Sequence, residues 1–407
     1  MNDNEPIRVC ILTETYYPVI GGGETQARTL AAGLEDYGCT VQVITRRSEL
    51  EFPRLESVDN VPVRRLGPAG PGHLKKWAML PGLLIELLRK SPTYDVLLVC
   101  GFRVMGISAL TAAKLLRKPV VLKADNEGEM SGRYFDAGAR KLGISDATKL
   151  LKLFVRLRNS LLLRADAFIS LSSDIRAEFE TAGVSATRLV TIPNSVDENR
   201  FRVDGDQTRQ QARQALNLPL DGVVVVFTGR LLKSKGVLDL VESWAVLAPE
   251  FPAATLVIVG SGQNLMHNCE AEVHQRIQSL GIENQVVTTG FVRNVEDYLK
   301  AADVFAFPTT HEAFGISLIE AMSAGLAVVA ARVGGIKDII QPEANGLLIE
   351  PHDGQALTRE LRRLLVDSNL RSRLGRQAVA TVTERYSTET ILRKYAELFG
   401  QLVARKK

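Results

Sequence analysis

Glu312 and Glu320 stand eight residues apart in the run His311-Glu312-Ala313-Phe314-Gly315-Ile316-Ser317-Leu318-Ile319-Glu320. An ionised carboxylate only accepts hydrogen bonds, so two of them at one place suit a ligand rich in hydroxyl donors. The apolar run 303–307, closed by Pro308, predicts a strand that ends just before Glu312. From Ile316 onward the apolar spacing predicts a helix with Glu320 in its second turn. Gly315 at the junction lets backbone approach an anion closely, and the unpaired N–H groups of a helix start favour one. Read singly, Glu312 is a capping acid and Glu320 a solvated helix charge; the apolar residues around them argue against that.

Two further loops carry charge or bare backbone. In Phe227-Thr228-Gly229-Arg230-Leu231-Leu232-Lys233-Ser234-Lys235-Gly236 a strand passes into a helix, and Arg230 and Lys235 can grip a diphosphate, one as a fork and the other as a point charge. In Tyr17-Pro18-Val19-Ile20-Gly21-Gly22-Gly23-Glu24 three consecutive glycines permit positive φ and close backbone approach ahead of a helix over Thr25–Leu34. That loop is neither a G-x-G-x-x-G fingerprint nor a phosphate loop, because the final glycine and the Lys-Ser/Thr pair are missing.

These loops must be held by a sheet. Short apolar or β-branched runs at 7–13, 40–45, 95–100, 119–123 and 166–171 alternate with helical stretches, and a second series follows at 222–228, 255–259, 285–290, 303–307, 327–331 and 346–350. Such alternation predicts parallel sheets covered on both faces, that is, an α/β chain of two doubly wound Rossmann-like domains facing across a cleft. The irregular segment near Val196–Arg202 separates them. Past Asp353 the chain reads as helix, with Ile391, Leu392, Tyr395, Leu398, Phe399 and Leu402 in one apolar stripe that needs a surface to cover. The expected division is 1–196 plus 388–407 against 197–387.

The 407 residues exceed one ordinary core, and 45% hydrophobic with 24% charged residues is a globular composition. A formal charge of +4 is small for this length and gives no reason to expect a nucleic-acid partner. Cys10, Cys39, Cys100 and Cys269 have no metal-ligand spacing and read as reduced core residues of a cytoplasmic protein. The polar start at 1–6 predicts no signal peptide, and no apolar run approaches the roughly 20 residues of a spanning helix.

Over nearly its whole length the sequence resembles the family-4 retaining glycosyltransferases of the GT-B architecture. The residues that carry the resemblance are Gly21-Gly22-Gly23-Glu24, Ile192-Pro193-Asn194-Ser195-Val196-Asp197, Gly229-Arg230 with Lys235-Gly236, Gly290-Phe291, and the pair Glu312 and Glu320, in the family's order. The resemblance implies that Arg230 and Lys235 bind the donor's diphosphate, with Gly22, Gly23 and Glu24 in the loop that approaches it from the acceptor domain. It implies that Glu320 holds the nucleotide ribose and Glu312 the donor sugar, beside Phe314 and the N–H groups of Gly315–Leu318. The loop around Val292 flanks the base, 193–197 is the interdomain hinge, and the carboxyl-terminal helix returns to cover the first domain.

One position departs from the family. Many relatives carry a histidine after the fifth strand, where this chain reads Lys123-Ala124-Asp125-Asn126-Glu127-Gly128-Glu129. Asp125 stands about there, and either it, or Lys123 and Glu129, takes the contact to sugar or acceptor, or the site accepts a different sugar. The residues show no pair of flanking carboxyls of the kind that retaining glycosidases use, and the front-face transfer that the resemblance implies, with a phosphate oxygen of the leaving group as base, fits that absence. None of the glycine-rich or charged loops above carries an Asp-x-Asp cluster that would hold a metal against a diphosphate, so no cofactor and no essential metal are expected.

The expected partners are a nucleotide-sugar donor, a UDP-sugar before GDP-mannose, and a glycan, lipid-linked or small-molecule acceptor. The stretch 149–164 has no acid, with Lys149, Lys152, Arg156 and Arg164 on one face and Leu150, Leu151, Phe154, Val155, Leu161 and Leu162 on another. It reads either as a core helix or as a peripheral contact to an anionic membrane surface. The stretch Leu74–Lys90 is similarly ambiguous. An epimerase or a phosphorylase of the same architecture would need elimination chemistry or a cofactor lysine, and a non-catalytic binder would have lost Arg230, Lys235 or Glu312.

Overall fold

The computed structural model describes residues 5–133, 149–263 and 265–406. The chain divides into an amino-terminal unit, Met1–Asn194 with Thr388–Lys407, and a carboxyl-terminal unit, Ser195–Ser387.

The amino-terminal unit is built on strands β1 (Ile7–Thr13), β2 (Cys39–Arg46), β3 (Leu55–Val58), β4 (Val61–Leu66), β5 (Val96–Cys100), β6 (Val120–Lys123), β7 (Ala167–Ser170) and β8 (Leu189–Thr191), in the order β3-β4-β2-β1-β5-β6-β7-β8. The sheet is not purely parallel. The hairpin β3–β4 adds an antiparallel edge, joined by Asp59 and Asn60, both at positive φ, which is the backbone of a tight hairpin turn. This hairpin was not legible because charged residues and a proline interrupt it, and β8 because its three residues are too few to show a period. The stretch Leu74–Lys90 forms two helices, His73–Ala78 and Leu80–Arg89, because Pro81 can only sit in a first turn.

The helix Thr388–Ala404 covers this sheet. Its stripe, Ile391, Leu392, Tyr395, Leu398, Phe399 and Leu402, is buried in one core with Val9 and Ile11 of β1 and with Ala27, Leu30 and Leu34. At 25 cal/mol per Å² and typical side-chain areas, burying such a stripe contributes on the order of 10 kcal/mol. All four cysteines lie buried and unbridged.

The carboxyl-terminal unit is built on β9 (Val224–Thr228), β10 (Thr255–Val259), β11 (Val286–Thr288), β12 (Val304–Phe307), β13 (Ala327–Ala331) and β14 (Leu347–Ile349), in the order β11-β10-β9-β12-β13-β14, every pair parallel. Strands β9, β10 and β13 are buried at every residue, as a sheet with two covered faces requires. In each unit the strand order reverses once beside the first strand, between β1 and β5 and between β9 and β12. The loops at the carboxyl ends of those strands bound the crevice where open α/β sheets bind ligands.

Candidate functional site

In the carboxyl-terminal unit the loops after β9 and β12 meet at the reversal point. After β9 the chain passes through Gly229 and Arg230 into a short turn, Lys233–Lys235, and then Gly236. A Cβ on Gly236 would lie 2.0 Å from the Pro308 carbonyl oxygen, and its φ of 69° is left-handed, so only glycine lets the two loops pack this closely. Thr309 Oγ1 and Thr310 N both donate to Ser234 O, at 3.0 and 2.8 Å, and fasten the loops together. Across this seam Lys235 Nζ lies 2.6 Å from Glu312 Oε2, the two side chains 14% and 18% exposed. Arg230 is exposed, and its side chain makes no hydrogen bond or ion pair with another described residue.

Gly315, at φ 110°, starts the helix Ile316–Ser323, and no side chain caps it. Leu318 N already donates to Gly315 O at 3.1 Å, so the donors of that first turn that remain available to an anion or to hydroxyl oxygens are those of Ile316 and Ser317. Phe314 is buried against Tyr386, ring centroids 5.8 Å apart, so it shapes the loop from behind. Glu320 lies in the helix's second turn, near Arg200 and Glu296, which pair with each other at 2.8 Å. Burial pushes the Glu320 carboxyl up to about 7, Arg200 draws it down and Glu296 raises it further. Arg200 carried no signal in the sequence beyond a charged stretch after the hinge.

A third glycine approach comes from the loop after β10. A Cβ on Gly260 would meet the Gly229 carbonyl oxygen at 1.8 Å, and Gly260 N donates to Gly290 O at 3.0 Å. The ends of β9, β10 and β11 thus draw together, with Val292 half-buried and Phe291 62% exposed just beyond. Gly260-Ser261-Gly262 after a strand was the available signal for this loop.

The amino-terminal unit gathers its own set at the ends of β1, β5 and β6. The helix after β1 starts at Gly22, three residues earlier than the sequence suggested. None of Gly21, Gly22 and Gly23 takes a positive φ: Gly21 is extended at −169° and the other two are helical. What the glycines supply is an uncapped helix start with room at Gly21 for the Glu24 carboxylate, which a Cβ there would meet at 2.4 Å. Glu24 accepts a hydrogen bond from the Thr15 hydroxyl. A Cβ on Gly23 would lie 3.8 Å from Asp125 Oδ2, which brings the glycine loop to Asp125.

Asp125 is ion-paired with Lys123, whose side chain is 5% exposed. Burial disfavours that ammonium, yet Asp125 beside it raises the Lys123 pKa above its ordinary value. Behind them Glu129, 1% exposed, accepts from Asp125 N and Asn126 N at 3.3 and 3.2 Å and pairs with Arg103 at 3.4 Å. Burial pushes the Glu129 carboxyl up to about 7, against the pull of Arg103. The structure therefore brings Lys123, Asp125 and Glu129 together and adds Arg103, which sequence reading missed. Among the described residues no three His, Cys, Asp or Glu side chains group as a metal site.

In the helix Lys149–Leu162, Leu162 and Arg158 are buried and Phe154 packs edge-on against Trp77 at 5.7 Å. Leu153 and Leu157, 52% and 63% exposed, share the outer face with Lys152 and Arg156; the Leu150 side chain lies outside the described residues. No described helix is long and apolar enough to cross a membrane.

Comparison with known proteins gives one answer at both ends of the chain. Residues 20–200 match the family model described as Glycosyltransferase Family 4, and residues 208–380 match Glycosyl transferases group 1. An uncharacterized glycosyltransferase of Methanocaldococcus jannaschii is 27% identical over 97% of this chain and 98% of its own. A D-inositol 3-phosphate glycosyltransferase of Salinispora tropica is 29% identical, over 94% and 82%. Among solved structures, sucrose-phosphate synthase of Thermosynechococcus elongatus superposes with a TM-score of 0.78 at 24% identity, over 98% and 100% of the two chains. Anabaena HepE, solved with UDP and glucose, superposes with a TM-score of 0.76 at 22% identity, over 97% and 99%.

Proposed function

The chain belongs to glycosyltransferase family 4 and has the GT-B fold, and from that premise we propose that it moves a hexose from a UDP-sugar, with GDP-mannose the next choice, to an acceptor hydroxyl with retention of configuration. The observation that carries this reading is the pair Lys235–Glu312 at the reversal point of the carboxyl-terminal sheet, beside an uncapped helix start. A diphosphate is met there by Arg230 and Lys235, the sugar hydroxyls by Glu312 and the N–H groups of Ile316 and Ser317, and the ribose by Glu320. Anabaena HepE, solved with UDP-glucose, supports a uridine donor. The acceptor is a glycan, a lipid-linked or a small-molecule hydroxyl, served by Gly22, Gly23, Glu24 and Asp125.

In the transfer, the bond from the sugar's anomeric carbon to the phosphate oxygen breaks and its electron pair leaves with the nucleoside diphosphate. Arg230 and Lys235 stabilise that charge as it develops. The acceptor oxygen forms the new bond on the same face, and its proton passes to a phosphate oxygen of the leaving group. This route needs no protein base and no metal. The outer face with Leu153, Leu157, Lys152 and Arg156 supports docking on an anionic membrane surface, tested by co-sedimentation with phosphatidylglycerol vesicles.

A thermal-shift screen against UDP, GDP and ADP sugars tests the donor. At about 100-fold excess over Kd the correct nucleotide adds about 2.7 kcal/mol and stands out, whereas equal responses to all three sink the assignment.

A further inference from the structure

We propose that Arg46 and Lys75 form an anion subsite in the amino-terminal unit that takes an oxyanion, phosphate or carboxylate, carried by the acceptor. The proposal rests on the acceptor binding in that unit. Arg46 is the last residue of β2, beside β1, and is 6% exposed. Its Nη1 donates to Gly70 O at 2.8 Å, its Nε has no partner, and among the described residues no carboxylate pairs with it. Lys75 reaches the same loop, its Nζ donating to Ala69 O at 2.7 Å. A Cβ on Gly70 would lie 2.8 Å from that ammonium, so both cations close on Gly70, which is buried and sits at φ 96°.

Two adjoining cations, Lys76 and Arg65, behave differently, whereas Arg47 donates to the carbonyls of Leu50 and Phe52. Glu14 holds Lys76 and Glu56 holds Arg65, whereas Glu49 and Glu51 in the loop after β2 are exposed and pair with neither Arg46 nor Lys75. A guanidinium taken out of water needs a compensating negative charge, and a single carbonyl dipole supplies only part of it. An oxyanion with several acceptor oxygens fits a guanidinium fork and an ammonium at one place. The location agrees, since the carboxyl end of β2 adjoins that of β1, from which the chain runs to Gly21–Glu24.

The test is calorimetric titration of the full chain with inorganic phosphate, with UDP present at saturation so that a diphosphate already occupies Arg230 and Lys235. Phosphate should bind, and Lys75→Gln should weaken it about ten-fold or more, as loss of a charged hydrogen bond does. Arg46→Lys should weaken it as well, while Lys76→Gln, whose ammonium Glu14 already holds, should change it less than about two-fold. Glucose 6-phosphate, glucuronate and phosphatidate vesicles, used as competitors, separate a soluble from a lipid source of the oxyanion. No binding of phosphate, or equal weakening by Lys75→Gln and Lys76→Gln, would overturn the subsite. UDP binding, read in the same experiment, reports on the donor assignment separately, because neither Arg46 nor Lys75 belongs to the carboxyl-terminal unit.

Discussion

Lys235 Nζ rests 2.6 Å from Glu312 Oε2, so the cation assigned to the diphosphate and the acid assigned to the sugar hold each other. The pair is mostly shielded from solvent, and removing either member leaves the other charge without its partner. Lys235→Met and Glu312→Gln should each destabilise the chain, and the double variant should be more stable than the sum of the two losses implies, by about 0.5–3 kcal/mol. Urea unfolding of the four proteins measures this. Additive losses would mean that the pair is not coupled.

Glu320 gives a pH signature. Its folded carboxyl is raised from 4.5 to about 7, so its contribution to stability is most favourable below 4.5 and is lost as pH rises through 7. Glu320→Gln should therefore gain on the wild type across that window. A ribose hydroxyl donates best to the ionised form, so UDP should bind more tightly as pH passes from 6 to about 8 and should expel a proton below about 7. Calorimetry in two buffers of different ionisation heat detects the proton. A pH-independent affinity that matches the Gln variant would remove Glu320 from the nucleotide site.

Lys123 and Asp125 form a pair with 5% and 17% exposure. Lys123→Met and Asp125→Asn should each cost about 3–5 kcal/mol, and the double variant less than either. If Asp125 also touches sugar or acceptor, the stable double variant remains slow. A double variant with full turnover would leave Asp125 a purely structural acid.

Turnover should survive EDTA, because Arg230 and Lys235 supply the positive charge that a divalent ion would otherwise bring to the leaving group. Loss of turnover with the chelator, restored by Mg²⁺ or Mn²⁺, would refute metal-free transfer.

The parallel strands were legible because a strand covered on both faces is a short continuous apolar run, as in Val224–Thr228 and Ala327–Ala331. The hairpin 55–66 was not, since an edge hairpin with one partly solvated face keeps residues such as Glu56 and Arg64. Site loops were legible where glycine and charge fall together after a strand, as at Gly229–Gly236 and Glu312–Glu320. Arg103, Arg200 and Arg46 were hidden because a lone arginine looks alike in sequence whether it is solvated, paired or buried. Only the fold sets Arg103 beside Glu129, Arg200 beside Glu296 and Arg46 behind Gly70.

The central claim is that Arg230 and Lys235 stabilise a departing nucleoside diphosphate, and single-turnover release of UDP from UDP-glucose, or of the diphosphate from whichever donor the thermal screen selects, tests it most directly. Arg230→Ala and Lys235→Ala should each slow that release by about 100-fold or more, with the fold intact by circular dichroism. Release at the wild-type rate in both variants would contradict the account.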